Sequence, residues 1–236
     1  MKASVVIAAY NERENIETLT RRLDTALRGL TDWQTEILYV IDGTDGTMEI
    51  VESLANEIPN LRFLYSEKPS GLGAAFRRGF AAVPADMDFV VTMDADLNHQ
   101  PEEIPRLLDA AVQNRADIVI GSRSVDGSTV IGTPLWKRAL SAVGNVVLRY
   151  IWGLKVRDKT SGFRVYRAES LRRISFRNDD FAFLPEILIL GNRLRMSTAE
   201  EPIRFVYRTA GRSKMSLPRT ALSYLLLLRW RSNPPL

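Results

Sequence analysis

Cysteine is absent from the 236-residue sequence, and histidine occurs once, at position 99. Without cysteine the chain can form neither a disulfide framework nor a thiolate metal site, which fits a reducing compartment. A catalytic set of the Ser/His/Asp kind would depend on His99 alone. Beside Asn98 in a turn, this histidine is predicted to be structural.

Long apolar segments and two common nucleotide-binding motifs are also missing. The longest uncharged stretches near the amphipathic segments, residues 139–148 and 220–228, are far shorter than the roughly 18 to 20 apolar residues that cross a bilayer. The N-terminus leads into a strand and not into a signal peptide, so the sequence predicts a cytoplasmic protein that does not cross a membrane. The first strand is not followed by Gly-x-Gly-x-x-Gly, and no Gly-x-x-x-x-Gly-Lys-Ser/Thr occurs, which excludes the usual hydride-transfer fold and the P-loop.

Short apolar runs alternate with helical patterns, with no linker or internal repeat between them. Strands are predicted at residues 4–9, 36–41, 61–65, 89–93, 117–121 and 203–207, with a further short strand after the turn that begins at 158. Helices are predicted at 13–28, from the turn at 42–47 to 57, from 70–73 onwards, from 101 and within 181–195, with Asn11 as the cap of the first. This alternation predicts one α/β domain with a mostly parallel sheet flanked by helices.

The most informative stretch is Asp94-Ala95-Asp96, which directly follows the apolar run at 89–93. Two carboxylates one residue apart at a strand end cannot both be neutralised by burial, so they require a cation. Hard oxygen ligands suit Mg²⁺ or Mn²⁺ shared with substrate phosphates. The alternative is a solvated acidic turn ahead of the helix that begins at Pro101.

Polar residues follow five of the predicted strands, and in open α/β sheets ligands bind beyond the carboxyl ends of the strands. These residues are Glu12, Asp42, the Gly71/Gly73 turn, Asp94 with Asp96, and Arg123. Each alone is compatible with ordinary turn chemistry. Together they predict a site for a metal ion and a phosphate group.

Cations are concentrated in the second half of the chain. After the last predicted strand come Arg208, Gly211, Arg212, Ser213 and Lys214. A loop with three cations and a glycine is suited to closing over a diphosphate, although a solvated basic loop is the alternative. The excess of 32 Lys and Arg over 28 Asp and Glu, a formal charge of +4, favours anionic partners in general.

Two segments are amphipathic, residues 135–152 and 217–231. In the first, polar residues recur at every fourth position, namely Lys137, Ser141, Asn145 and Arg149. Basic residues beside Trp and Leu are typical of a helix that lies on an anionic membrane. Packing of both helices on the sheet or on each other is the alternative, and the sequence leaves both interpretations open.

The motifs and their order resemble those of family 2 glycosyltransferases, and most closely those of polyprenyl (dolichyl) phosphate mannosyltransferases of the soluble type without transmembrane helices. The resemblance covers residues 4 to about 216 and is carried by segments 8–12, 42–47, 71–74, 94–99, 121–123, 160–164 and 213–215. It implies a GT-A fold, Rossmann-like, over residues 1–216, followed by a C-terminal amphipathic helix and tail at 217–236. The implied reaction is the inverting transfer of a hexose, expected to be mannose from GDP-mannose, to a polyprenyl phosphate with Mg²⁺ or Mn²⁺.

The resemblance also implies roles for individual residues. The metal would be held by Asp94, Asp96 and Asn98, and the acceptor phosphate would be bound by Lys137 and Arg138. The catalytic residues would be Asp94, Asp96, Arg123, Arg208 and Lys214. The donor would be bound by Ala8, Tyr10, Glu12, Asp42, Ala95 and Ser213. The implied location is the cytoplasmic face of a membrane, bound peripherally, with no nucleic-acid partner.

Other functions remain open from the sequence. Ile41 stands where the family commonly has the first of two acidic residues, so a UDP-sugar donor, carrying glucose or an N-acetylhexosamine, is an alternative. A non-catalytic nucleotide-sugar-binding subunit of a membrane complex is an alternative of another class.

Overall fold

The structure is a computed structural model in which residues 1–207 are described, except for the side chains of residues 135–140, 142, 143 and 147. Its strands are β1 Lys2–Tyr10, β2 Gln34–Asp42, β3 Leu61–Ser66, β4 Phe89–Asp94, β5 Ile118–Ser122, β6 Thr129–Ile131, β7 Arg164–Arg167, β8 Thr198–Pro202 and β9 Arg204–Val206. Its helices are α1 Ile16–Arg28, α2 Thr47–Glu57, α3 Leu72–Ala82, α4 Ile104–Gln113, α5 Leu135–Trp152, α6 Ala168–Arg172 and α7 Phe183–Arg193, with a 3₁₀ turn at Pro101–Glu103.

Seven strands form one sheet in the order β3-β2-β1-β4-β7-β5-β8. All neighbours are parallel except β7, which runs antiparallel to both β4 and β5. The chain enters β7 at Arg164, opposite Thr92 and Ile120, at the edge of the sheet where β4 and β5 end, so β7 must run back. The predicted α/β fold with a mostly parallel sheet is confirmed. A second, two-stranded sheet pairs β6 with β9.

Apolar side chains cover both faces of the large sheet. Successive residues of a strand point to opposite faces, and along β1 Ile7 packs into one core cluster while Val6 packs into the other. The first cluster includes Leu19 and Leu107 from α1 and α4, and the second includes Phe76 of α3. Burial on both faces explains why the central strands are continuous apolar runs.

The start of α1 differs from the prediction. Asn11 does not cap the helix, because it lies in the left-handed region with φ 52°, where asparagine is tolerated. The Glu12 carbonyl instead accepts hydrogen bonds from the amides of Asn15 and Ile16, each at 2.9 Å, so that a turn precedes the helix. The helix therefore begins at Ile16, three residues later than predicted.

Strand β8 was not predicted. Its sequence Thr-Ala-Glu-Glu-Pro is polar and ends in proline, which suits a strand at the edge of a sheet. Pairing with β5 on one side only explains why the apolar signal of a buried strand is missing. Such strands cannot be recognised from hydrophobic periodicity.

Helix α5 has the predicted bounds and ends at Gly153, whose φ of 65° is the left-handed conformation of a helix terminus. Asn145, predicted on its polar face, is instead buried and accepts a hydrogen bond from the Lys159 amide at 2.8 Å. The exposed apolar side chains described on this helix are Val146 and Tyr150.

Two predicted features lie outside the described residues, namely the basic loop after β9 and the amphipathic helix at 217–231. The apolar side of the amphipathic segment 135–152 consists of Trp136, Leu140, Val143, Val147 and Ile151, and only the last of these side chains is described. Among the helices that the structure describes, none is both long and apolar enough to cross a bilayer.

Candidate active site

The acidic turn after β4 folds back on itself. Asp94 is the last residue of β4 and its side chain is one-third exposed. The Asp96 carboxylate accepts hydrogen bonds from the Asn98 backbone amide at 3.2 Å and from its Nδ2 at 2.8 Å. Leu97, between them, is left-handed with φ 60°. This turn brings all three predicted metal ligands into one segment at the edge of the sheet.

The donor set of this turn fits a hard divalent cation. The Asn98 Oδ1 atom is buried and has no hydrogen-bond partner within the described residues. With the carboxylates of Asp94 and Asp96 it supplies oxygen ligands of the type that Mg²⁺ and Mn²⁺ prefer. No group of three or more acidic, histidine or cysteine side chains forms a metal cluster in the described part of the chain.

The loop that leads into β7 packs against Asp94. A Cβ atom at Gly162 would lie 2.9 Å from the Asp94 Oδ1 atom, so only glycine fits without displacing the carboxylate. The Thr92 hydroxyl donates to the Gly162 carbonyl at 2.8 Å, which ties the same loop to β4. The acidic turn and this loop form one wall of the site.

His99 is a buried residue that packs next to the acidic turn. Burial lowers the pKa of His99 from 6.5 to about 4, so the imidazole is neutral at physiological pH. Its ring packs against Phe163 and Phe205, with centroids 5.2 and 5.5 Å away. The Nδ1 atom lies 3.6 Å from the Asp94 Oδ2 atom. The structural role predicted for this residue agrees with its burial.

Arg123 follows β5 and is held by a buried carboxylate. Its Nε and Nη2 atoms donate to the two oxygens of Asp158 at 2.8 and 2.9 Å, and Nη2 also donates to the Thr160 hydroxyl at 2.8 Å. Its guanidinium lies 5.2 Å from the centroid of the Phe205 ring. Burial would raise the pKa of Asp158, but the Arg123 charge and hydrogen bonds outweigh it and hold the pKa below its ordinary value.

The segment between Asp158 and β7 is organised by a second arginine. Arg164 is fully buried and donates to the carbonyls of Ser161, Lys159 and Leu184 at 2.8 to 2.9 Å. These bonds engage the guanidinium within the protein, so Arg164 shapes the loop and does not reach a ligand.

The predicted donor-binding residues lie at the ends of β1 and β2. Tyr10 pairs in register with Asp42 and is 41% exposed. Glu12 is buried, and its carboxylate accepts from Asn15 Nδ2 at 2.8 Å. Ala8 lies inside the sheet between β2 and β4, and Ala95 is buried in the acidic turn. Because their side chains are small and carry no polar atom, these two residues can only let a ligand come close to the backbone.

Asp42 already has protein partners. Its Oδ2 atom accepts from the Ser70 amide at 2.9 Å and from the Ser70 hydroxyl at 3.0 Å. Its Oδ1 atom accepts from Arg78 Nη2. The carboxylate is therefore fixed in orientation at the end of β2.

The glycines of the turn before α3 pack against a neighbouring loop. The Gly73 amide donates to the Asp179 carbonyl at 2.8 Å, and a Cβ atom at Gly73 would lie 2.0 Å from the Asn178 carbonyl oxygen. These glycines allow the 178–179 loop to pack closely on α3. Ser70, in the same turn, binds the Asp42 carboxylate, so the place of the turn beside the site stays a prediction.

Five predicted site residues cannot be placed. Arg208, Ser213 and Lys214 lie outside the described residues, as do the side chains of Lys137 and Arg138 at the start of α5. The described site thus consists of the β1, β2, β4 and β5 ends and the loop from Asp158.

Three residues of the site were missed from the sequence. Asp158 begins the Asp-Lys-Thr-Ser-Gly-Phe-Arg turn, where the carboxylate itself was a usable signal. Ser70 and Arg78, which hold Asp42, carry no local signal, because a serine in a turn and an arginine on a helix are common on any surface.

Comparison with known proteins places these features in a family. The family model "Glycosyl transferase family 2" matches residues 4–175. An undecaprenyl-phosphate mannosyltransferase of Micrococcus luteus is 34% identical over 98% of this chain and 94% of its own length. A dolichol-phosphate mannosyltransferase of Pyrococcus furiosus is 39% identical over 99% of this chain, which spans 65% of that relative's length. A polyprenol monophosphomannose synthase of Mycolicibacterium smegmatis is 38% identical over 90% of this chain and 80% of its own.

Solved structures share the fold. Glucosyl-3-phosphoglycerate synthase of Mycobacterium tuberculosis, crystallised with Mn²⁺, UDP-glucose and phosphoglyceric acid, superposes with a TM-score of 0.71 at 23% identity, over 99% of this chain and 80% of that one. S. aureus TarS in complex with UDP-GlcNAc gives 0.63 at 21% identity, over 97% of this chain and 65% of that one. The sheet, the acidic turn at the end of β4 and the family match agree, and the chain is a glycosyltransferase of family 2 with the GT-A fold.

Proposed function

We propose that this glycosyltransferase transfers mannose from GDP-mannose to a polyprenyl phosphate, with inversion at the sugar carbon and with Mg²⁺ or Mn²⁺. The names of three relatives at 34 to 39% identity support mannose and a polyprenyl phosphate. The observation that carries the proposal is the oxygen set of Asp94, Asp96 and Asn98, with its buried unpartnered Oδ1 atom, at the end of β4.

The two sides of the site would act on different parts of the donor. Asp94, Asp96 and Asn98 would hold the metal, and the bound cation would neutralise the charge that develops on the departing diphosphate. Arg123, fixed by Asp158, would face the sugar and phosphate region of the donor. Arg208 and Lys214 complete the proposal as further cations on the diphosphate.

The acceptor explains why the site needs no dedicated base. A phosphate monoester has a second pKa of roughly 6, so near pH 7 it is largely a dianion. One of its oxygens can attack the sugar carbon without losing a proton, and the bond to the diphosphate breaks with the electron pair on the leaving group. His99, buried and neutral, is not required as a base.

A lipid acceptor requires access to a membrane surface. We propose that the protein binds peripherally to the cytoplasmic face of a membrane through α5, and that Lys137 and Arg138 bind the acceptor phosphate. Val146 and Tyr150, exposed one turn apart on α5, support this placement because Tyr is favoured at the headgroup level.

A donor panel tests the reaction. The protein is incubated with a polyprenyl phosphate and GDP-mannose, UDP-glucose or UDP-N-acetylglucosamine, with Mn²⁺ or EDTA, and the lipid product is identified by mass spectrometry. We expect mannosyl lipid from GDP-mannose with Mn²⁺ only. A glucosyl or N-acetylhexosaminyl product would reassign the donor, and full activity in EDTA would remove the metal from the proposal.

Asp96→Ala tests the metal site within the same assay. The variant should lose metal-stimulated transfer and remain folded, because the carboxylate lies in a turn at the end of β4 and not in the apolar core. Asp109→Ala, which removes an exposed carboxylate from α4, is the matched control and should transfer normally. Equal activity of the two variants would contradict the assignment of Asp96.

A further inference from the structure

We propose that Gln100 and Arg22 are positioning residues of the metal site, which hold the acidic turn in the conformation in which Asn98 offers its side-chain oxygen to a cation. This inference rests on the proposed use of Mg²⁺ or Mn²⁺ by Asp94, Asp96 and Asn98. It adds two residues that would not touch the cation themselves. Replacing either of them should lower the affinity for the metal more than the stability of the fold.

The orientation of the Asn98 side chain is set by Asp96. The Asn98 Nδ2 group donates to the Asp96 Oδ2 atom at 2.8 Å. Because an ionised carboxylate only accepts hydrogen bonds, the amide must turn its NH₂ group toward Asp96. The Oδ1 atom is thereby left buried, with no hydrogen-bond partner among the described residues. An unpaired buried acceptor is unfavourable, and a bound cation would satisfy it.

The backbone around Asn98 has a conformation that needs support from outside the turn. Leu97 has a φ of 60°, which is uncommon for a residue with a bulky side chain. Two hydrogen bonds reach the carbonyl of Asn98, from the Val206 amide at 2.9 Å and from Gln100 Nε2 at 3.2 Å. The Val206 bond comes from the backbone of β9. Gln100 therefore supplies the side-chain contact that holds the Asn98 backbone in place.

Gln100 is itself oriented by Arg22 of α1. The Arg22 Nη2 atom donates to the Gln100 Oε1 atom at 2.8 Å. Because a guanidinium only donates hydrogen bonds, the oxygen of the Gln100 amide must face the arginine, which leaves Nε2 for the Asn98 carbonyl. Arg22 is fixed in turn by Glu102, which accepts from its Nε and Nη2 atoms at 2.9 and 2.6 Å.

These contacts form a continuous chain from α1 to a metal ligand. Glu102 orients Arg22, which orients Gln100. Gln100 then holds the backbone of Asn98, and donors face acceptors at every step. Residues that orient metal ligands in this way change the metal affinity about 10- to 100-fold when they are replaced. Arg22 and Gln100 are only half-buried, so their replacement leaves the apolar core intact.

Binding of Mn²⁺ alone tests the inference without donor or acceptor. Electron paramagnetic resonance of free Mn²⁺ gives the dissociation constant of each variant. Gln100→Met, which keeps the length of the side chain but removes both polar groups, should weaken binding about tenfold or more. Arg22→Ala, which leaves Gln100 present but not anchored, should weaken it about fivefold, the effect of one hydrogen bond. Arg22→Lys, which keeps a charged donor, should recover part of this loss.

The matched controls are Arg21→Ala and Gln113→Met. Arg21 precedes Arg22 on α1 and pairs with carboxylates of its own helix and of α2. Gln113 is exposed at the end of α4. Both control variants should bind Mn²⁺ like the wild type. Melting curves in EDTA verify folding, and if Gln100→Met does not fold, Arg22→Ala on the helix surface carries the comparison.

The transfer assay separates positioning from catalysis. At saturating Mn²⁺ the kcat of Gln100→Met should return to within about threefold of the wild-type value, because the side chain contacts none of the reacting groups. The concentration of Mn²⁺ needed for half of the maximal rate should rise in parallel with the dissociation constant.

The possible results distinguish the inference from the proposed function. Wild-type Mn²⁺ affinity in both Gln100→Met and Arg22→Ala would overturn the inference and leave the proposed transfer reaction in place. An equal loss of affinity in the controls would also overturn it, because the effect would not be specific to this chain of contacts. If the wild type binds no Mn²⁺, with or without GDP, the metal assignment in the proposed function is wrong, and the inference is wrong with it.

Discussion

Asp158 was not predicted as a site residue, yet it holds several parts of the site together. Its carboxylate accepts from the side chain and backbone amide of Arg123 and from the amides of Thr160 and Ser161. A carboxylate with this many donors favours its charged form even when it is fully buried. Asp158 therefore acts as a positioning residue that fixes the direction of Arg123.

Replacing this carboxylate should affect stability and catalysis together. Removing one partner of a fully buried ion pair costs about 3 to 5 kcal/mol. Because the Arg123 side chain is 23% exposed, we expect Asp158→Asn to lower the free energy of unfolding by about 2 kcal/mol and to reduce kcat more than it raises KM for the donor. Urea denaturation and steady-state kinetics measure both effects.

Asp126→Asn serves as the control for Asp158→Asn. Asp126 is fully exposed and meets Arg157 at 3.6 Å, so its loss should change neither stability nor rate measurably. If Asp158→Asn matched this control in both measurements, the position of Arg123 would not depend on the Asp158 carboxylate.

The buried histidine predicts a pH dependence of stability. Its pKa is about 4 in the folded chain and ordinarily 6.5, so below pH 6.5 the unfolded chain binds the proton more readily. Stability from this group is fully present above pH 6.5 and decreases by about 1.4 kcal/mol per pH unit between 6.5 and 4. His99→Phe, which keeps a ring between Phe163 and Phe205, should remove this part of the slope.

The measurement is urea denaturation in EDTA from pH 7 to 4.5, compared between wild type and His99→Phe. The chain has only one histidine, so carboxylate titration is common to both proteins and cancels in the difference. Parallel curves would contradict a neutral, buried His99.

At the scale of elements, the site depends on two loops that pack against strand ends and helix starts. The Asp158 loop closes on β4 through Gly162, and the 178–179 loop closes on α3 through Gly73. The second loop is held in place by α7. The buried Glu186 of this helix accepts hydrogen bonds from the amides of Arg177 and Asn178 at 2.6 and 2.9 Å. Gly73 faces a backbone carbonyl, and Gly162 faces the Asp94 carboxylate.

A pair of glycine substitutions tests this packing. Gly73→Ala should destabilise the protein by about 3 kcal/mol or more, because the new Cβ would overlap the Asn178 carbonyl, a backbone atom. Gly144→Ala, in the middle of α5 with no atom of the described residues within 4 Å of the new Cβ, should stabilise by about 0.5 to 1 kcal/mol. Thermal melting compares the two, and similar shifts of the same sign would refute the close contact at Gly73.

At the scale of the whole molecule, the proposed transfer to a lipid phosphate raises the question of how a chain whose described helices do not span a bilayer would reach this acceptor. The formal charge of +4 is modest, so a general attraction to anionic lipid is weak and must be supplemented by a local surface. Helix α5 offers Tyr150 at 84% exposure and Val146 at 52%, with the exposed Arg149 beside them. This patch is our candidate for the membrane-facing side.

Vesicle flotation tests this patch. The protein should float with vesicles containing anionic lipid, and less so at high salt, because each basic residue near the surface contributes about 1 kcal/mol that salt screens. Tyr150→Ser should weaken flotation, whereas Tyr65→Ser, at an exposed tyrosine of β3 (40%), should not. Equal flotation of both variants would remove α5 from the membrane contact.

The sequence by itself determined the α/β class, five of the parallel strands with their order in the chain, and the acidic turn at the end of β4. These features can be predicted from short stretches of sequence, because a strand buried on both faces is a continuous apolar run and the paired carboxylates follow it directly. The true start of α1, the polar edge strand β8 and the reversal of β7 could not be read in this way, because each depends on partners distant in the chain.

Only the tertiary structure decided how the site is assembled. Asp158 meets Arg123 across 35 residues and Arg78 meets Asp42 across 36, contacts that no local pattern reveals. The same holds for the Gly71/Gly73 turn, whose glycines pack against the 178–179 loop. A turn glycine looks alike whether it makes room for a phosphate or for a carbonyl, so what occupies the space beside it is decided by the packing of the folded chain.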